Sequence, residues 1–165
     1  MGIRTTLIAL SALAVSTPAF AAMSLSDGFE TGSHGAVSGS GKLSDLPGQA
    51  RTGKGYGLFE PFLKPGTLSV SERFGRKRGS LCTATVWVRP LGGGLLKFEA
   101  LDGNRILAGQ VIPVLVSGGD VANNFYQPYS ISFRANGRPV RIVLAYDPQG
   151  VASSLRVDDL SVACR

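Results

Sequence analysis

Four segments of this chain alternate apolar and polar residues at every second position, and no long segment places apolar residues at helical spacing. Successive side chains of a strand point to opposite faces, so this alternation gives each segment one apolar and one wettable side. In residues 81–89, LCTATVWVR, one face is Cys82, Ala84, Val86 and Val88, and the other is Thr83, Thr85, Trp87 and Arg89. In 95–101, Leu96, Phe98 and Ala100 oppose Lys97 and Glu99. In 129–135, Tyr129, Ile131, Phe133 and Ala135 oppose Ser130, Ser132 and Arg134. In 139–147, Val140, Ile142, Leu144 and Tyr146 oppose Arg141, Val143, Ala145 and Asp147. One-sided strands of this kind suit antiparallel sheets packed face to face, and the 22 glycines and 9 prolines supply the turns between them. The expectation is an all-β sandwich of antiparallel sheets in one domain, with 32–57 an irregular, mostly exposed connection holding at most one short strand.

The last segment, LRVDDLSVAC, breaks the alternation. Leu155 and Val157 share one phase; Leu160, Val162 and Cys164 share the other. A β-bulge at Asp158–Asp159 returns both sets to the core. Cys164 then points inward, as Cys82 does, and a disulfide between them is expected in an exported chain with an even cysteine count.

Export is read from the start of the chain. Arg4 precedes the apolar run LIALSALAV, and Ala19-Phe20-Ala21 offers small residues at the spacing a signal peptidase accepts. Residues 1–21 are therefore read as a signal peptide and 22–165 as the mature domain, periplasmic or secreted. No other stretch reads as membrane-spanning. The formal net charge is +6, spread along the chain apart from one loop, which suits anionic surroundings and not a dedicated nucleic-acid binder. His34 is the only histidine and has no cysteine or paired carboxylate beside it. With no nucleophile elbow, phosphate-binding glycine loop or zinc spacing, the chain reads as a non-enzyme.

GFETG (28–32), ATVWVRP (84–90), YQPYSISFRANG (126–137) and LRVDDLSV (155–162) occur in this order. In these the chain resembles the galactose-binding-domain-like β-sandwiches, in particular bacterial carbohydrate-binding modules of the jelly-roll type. The resemblance spans nearly the whole mature chain. It implies a jelly-roll fold, a binding role towards a saccharide or envelope polymer, and a structural calcium ion. The ligands it implies are Glu30 of the Phe-Glu motif and Asp158 of the Asp-Asp motif, with backbone oxygens completing the shell. Of further early acids only Asp27 is nearby; Glu30 and Asp158 are otherwise solvated edge acids.

Candidate binding residues follow from the faces and the loops. Trp87 falls on the polar face with Arg89, where a flat aromatic beside polar groups suits a sugar ring; alternatively it packs under a long side chain or the 37–60 connection. Lys97, Glu99 and Arg134 join this layer if their strands share the sheet. Among loop residues, Tyr126 with the planar amides of Asn123, Asn124 and Gln127 can serve sugar hydroxyls, whereas Phe125 and Tyr129 are expected to cap the sandwich. Arg73, Arg76, Lys77 and Arg78 form a basic loop, expected at a hairpin tip, that is either a solvated turn or a contact for an anionic partner. The competing functional reading is a periplasmic accessory or inhibitor protein that uses the same surfaces on another protein.

Overall fold

The alternating segments form strands in the computed structural model, which describes residues 23–30, 35–60, 64–72, 78–114, 125–150 and 152–165. The expected signal peptide lies outside them. The strands are β1 (Met23–Asp27), β2 (Gly35–Gly39), β3 (Gly41–Ser44), β4 (Tyr56–Phe59), β5 (Gly66–Glu72), β6 (Leu81–Pro90), β7 (Gly94–Asp102), β8 (Arg105–Val114), β9 (Gln127–Arg134), β10 (Val140–Asp147) and β11 (Leu155–Cys164). They make two antiparallel sheets. One runs β3-β4-β11-β6-β9, with β1 also paired to β11; the other runs β2-β5-β10-β7-β8. Among the described residues no helix is long and apolar enough to cross a membrane.

The inward faces are those the alternation assigns. Cys82, Ala84, Val86 and Val88 of β6 meet Leu96, Phe98 and Ala100 of β7 and Val140, Ile142, Leu144 and Tyr146 of β10 in one buried core. Burying the valine, leucine, isoleucine and phenylalanine side chains among these contributes about 1.5–3 kcal/mol each.

The terminal strand is bulged as its broken phase requires. Its register to β6 shifts between Asp158 and Ser161, and Asp159 takes a left-handed backbone with φ of 46°. Leu155, Val157, Leu160, Val162 and Cys164 are all buried as a result. On its other edge β11 changes partner across this bulge: residues 155–157 pair with β4 and 160–164 with β1. Cys82 and Cys164 lie directly opposite one another and are disulfide-bonded. With a sequence separation of 82, the bond stabilises by about 4–5 kcal/mol in the chain-entropy treatment.

Three expectations are corrected. The 32–57 connection contains β2, β3 and the start of β4, and β2 and β3 lie in different sheets. Glycine and serine dominate it, so its strands rest on backbone pairing and carry little β-propensity of their own. The segment after β5 is not a hairpin, because β5 and β6 also belong to different sheets. Arg78 is exposed there, while Arg73, Arg76 and Lys77 lie outside the described residues. Phe125 does not cap the core: it is 73% exposed, while Tyr129 packs partly buried against the core.

Candidate functional site

The site is built where β11 changes partner. A strand edge that loses its neighbour leaves backbone and side chains open to another segment, and here residues 45–55 fill the opening. The fully buried Asp158 receives this segment. Its Oδ2 accepts the amide N–H groups of Arg51 at 2.7 Å and Thr52 at 3.2 Å, and its Oδ1 accepts that of Asp159 at 2.7 Å. Asp159 accepts from the Arg51 guanidinium and the Thr52 hydroxyl. Glu30, just beyond β1, accepts the amides of Lys54 at 2.9 Å and Gly55 at 3.0 Å. Close approach requires glycine at Gly53: φ there is +61°, and a Cβ would come within 1.9 Å of Glu30 Oε1. Asp27 accepts the amide of Phe29 at 2.8 Å, which holds the buried Phe29 in a left-handed turn with φ of 52°.

Burial pushes the Asp158 carboxyl above its ordinary range, and the amides of Thr52, Asp159 and Arg51 oppose that shift without cancelling it. The oxygens expected to face calcium thus meet N–H donors. Among the described residues no three acidic, histidine or cysteine side chains converge to hold a metal. Calcium takes six to eight oxygen ligands, and the carboxylates as arranged do not fit that ion.

The segment also shapes the outer face of the sheet. The Arg51 guanidinium lies 3.6 Å from the centre of the Trp87 ring, a cation–π contact that covers one aromatic face. Trp87 is half-buried, so the covered alternative is the one observed, through a long side chain of the 37–60 connection. Tyr126 donates from its hydroxyl to the Gln49 carbonyl at 2.8 Å. Burial, with the Asp158 carboxylate second, pushes the Tyr126 phenol well above its ordinary range, so the hydroxyl stays a donor.

Trp87, Arg89 and Tyr126 share this face. Arg89 stands directly across from Arg156 of β11, and Arg156 across from Leu58, itself opposite Lys42. Tyr126 follows one step beyond the Val88–Gln127 pair. Lys42, Arg156, Arg89 and Tyr126 therefore lie in one row across the sheet. Burial and, second, the Arg156 charge draw the Arg89 guanidinium below its usual range. Lys42 is ion-paired to Glu60. The Arg156 guanidinium lies 5.6 Å from the centre of the Tyr56 ring.

Other expected members fall elsewhere. Gln127 has the phase of Tyr129, whose hydroxyl lies 3.5 Å from its side-chain oxygen. Asn123 and Asn124 lie outside the described residues. Lys97 and Glu99 do not join Trp87, because β7 belongs to the other sheet; Arg134 is in the right sheet but donates to the Gly79 carbonyl at 3.1 Å. The sequence reading does not single out Arg51 or Arg156. Arg156 had a signal, its two-residue spacing from Asp158 on one strand, but its partner depends on the bulge.

No protein-family model matches the chain, and no curated protein matches it. Solved structures do. The carbohydrate-binding module TmCBM61, in complex with β-1,4-galactotriose, superposes with a TM-score of 0.65 at 17% identity, covering 84% of this chain and 95% of that one. A family 35 carbohydrate-binding module from Clostridium thermocellum gives 0.55 at 13%, covering 85% and 97%. The Stig cyclase Fisc from Fischerella sp. TAU gives 0.55 at 17%, covering 86% and 84%. One framework thus carries binding modules and an enzyme, and the likeness speaks to architecture. The chain has a jelly-roll β-sandwich fold, as these carbohydrate-binding modules do.

Proposed function

We propose that this protein is a non-catalytic, exported binding module whose ligand is a carbohydrate. The observation that carries the reading is the outer row of the β3-β4-β11-β6-β9 sheet. There Arg89 and Tyr126 stand beside Trp87, on a fold shared with modules such as TmCBM61. Aromatic rings offer an apolar surface to a sugar's C–H faces, and guanidinium and phenol groups reach its hydroxyls. A ring docking on the covered face of Trp87 takes the place of Arg51. The disulfide fits an oxidising compartment, periplasmic or extracellular.

A glycan array probed with the wild type and with Trp87→Ala and Tyr126→Ala tests the reading. Binding to at least one glycan, reduced about tenfold or more by each substitution, supports it. Binding that survives both substitutions places the site elsewhere, and a silent array overturns the carbohydrate reading. A second reading, a protein-binding accessory, is favoured by one observation: Phe125, Ile106 and Val111 are large apolar side chains that are 73%, 58% and 53% exposed. Capture of one protein from a periplasmic extract, abolished by Phe125→Ser, supports it.

A further inference from the structure

Trp87 stands directly across from Asp158, so the bulge lies beside its ring. The Arg51 guanidinium is 3.6 Å from the ring centre, which is van der Waals contact and leaves no room for a ligand between them. The guanidinium is also ion-paired to Asp159, and the Thr52 hydroxyl donates to the other oxygen of the same carboxylate. Main chain and side chain of Arg51 are held separately. Its amide and that of Thr52 are on Asp158, and the amides of Lys54 and Gly55 are on Glu30. Upstream, the Gln49 carbonyl accepts the Tyr126 hydroxyl. The main chain is thus fixed on both sides of Arg51. Its side chain rests on one ring and one carboxylate and is 33% exposed, so it can swing into solvent while the main chain stays in place.

We propose that the Arg51 side chain is a self-occluding cap on Trp87, latched by Asp159, which a ligand must swing aside to bind. This rests on the carbohydrate reading above and adds the regulation of that site. The guanidinium is a tethered competitor for the ring, present at the high effective concentration that a short tether gives. A cation–π contact together with a partly exposed ion pair is worth about one power of ten in an equilibrium constant, and a ligand on the covered face loses that factor. Salt screens the partly exposed Arg51–Asp159 pair and so loosens the latch. A neutral sugar then binds more tightly as ionic strength rises, the reverse of an attraction between opposite charges. The Thr52 hydroxyl keeps hold of Asp159 when the guanidinium leaves, so the latch is set to close again.

Trp87 is the only tryptophan, so its fluorescence in the full disulfide-bonded chain reads the cap without a ligand. Acrylamide quenching is expected to rise in Arg51→Ala and to stay unchanged in Lys54→Ala, which removes the same charge from the same segment. Affinity electrophoresis through neutral galactan, xylan and mannan, with calorimetry on the one that retards most, then reads binding. Arg51→Ala is expected to bind about tenfold more tightly than the wild type, and Lys54→Ala to differ from it less than about twofold. Wild-type affinity is expected to rise with sodium chloride, and that of Arg51→Ala to stay flat. Amide exchange at Thr52 reports the main chain, which keeps its protection in Arg51→Ala if the side chain alone is the cap. Unchanged quenching, or binding that Arg51→Ala leaves equal or weaker, overturns the cap while leaving the carbohydrate reading intact. So does an equal gain in Arg51→Ala and Lys54→Ala, which shows a general effect of charge, or lost protection at Thr52, which shows that the whole segment opens. Binding of neither protein to any glycan overturns both.

Discussion

On the outer face of the β2-β5-β10-β7-β8 sheet, Lys97, Arg141 and Asp147 stand in solvent. On the outer face of the other sheet, Asp158 and Tyr56 are completely buried and Arg89, Arg156, Trp87 and Tyr126 half-buried. The two faces come from similar alternating strands, so the strands alone do not explain the difference. The bulge does. β10 is straight, and β5 and β7 flank it without a break; β11 is interrupted, and the interruption admits the 45–55 segment. One face is a wetted surface, whereas the other has become an interior of charged and aromatic groups. A shallow depression of about 280 Å³ near Gly103 and Pro139 lies at the margin of the first sheet and is lined by one charged residue, Arg141. Perturbed ionisable groups concentrate at functional sites, and here they concentrate on the covered face.

The comparison breaks most directly at Asp158. Asp158→Ala removes the acceptor of two amides from the 45–55 segment and of the Asp159 amide. Hydrogen bonds to charged groups contribute about 1.5–3 kcal/mol, and the cost of burying the carboxylate offsets part of their sum. A net destabilisation of about 2–3 kcal/mol is expected by denaturant titration. The same experiment on the open face, Lys97→Ala, is expected to stay within about 0.5 kcal/mol. Comparable losses in the two variants mean that the faces do not differ energetically. Exchange of the Arg51 and Thr52 amide hydrogens sharpens the result, since only the Asp158 variant should lose their protection.

Much of this was legible in the sequence, and the parts that were not share a cause. The inward faces of β6, β7 and β10 follow from period-two alternation, a local property. The bulge was legible because Leu155 and Val157 fall out of step with Leu160 and Val162, and the disulfide because Cys82 and Cys164 both take the inward phase. The Arg89–Arg156 pair was not legible, since it depends on which strands are neighbours and on their register. Arg51 over Trp87 depends on the path of a glycine-bearing segment with no periodicity. The resemblance names Glu30 and Asp158 as ligands of one calcium ion; in the structure both accept backbone amides of residues 51–55, and no residue type there announces it, because the donors are backbone groups.

A smaller effect is expected at Tyr126. Tyr126→Phe deletes the hydrogen bond to the Gln49 carbonyl and should cost about 1 kcal/mol at neutral pH. The pH dependence carries a definite sign. The folded phenol ionises above the ordinary tyrosine value, so the native state keeps its proton where the unfolded chain loses one. Stability contributed by the group is complete below about pH 10 and falls as pH rises through the window up to the raised folded value. At about 1.4 kcal/mol per unit of pH in that window, the wild type's advantage over Tyr126→Phe should vanish near pH 11. An advantage unchanged at pH 11 would show that the phenol is not shifted, and that this face is no better sealed than the other.

The smallest expected effect concerns calcium, and it separates two ways of joining the chain's ends. If Glu30 and Asp158 hold a cation, chelation removes a ligand of the native state, and the melting temperature drops as binding linkage requires. If they hold the amides of 51–55, calcium must first displace several hydrogen bonds made by the two carboxylates, and no third acidic ligand converges with them among the described residues. Melting temperatures in millimolar calcium and in excess chelator are therefore expected to agree within about 1 °C, a difference of a few tenths of a kcal/mol for a domain of this size. A rise of several degrees in calcium, abolished in Glu30→Gln, would show that the amide-filled arrangement gives way to a metal. The 45–55 segment would then be anchored through an ion, and the covering of Trp87 would depend on the calcium concentration.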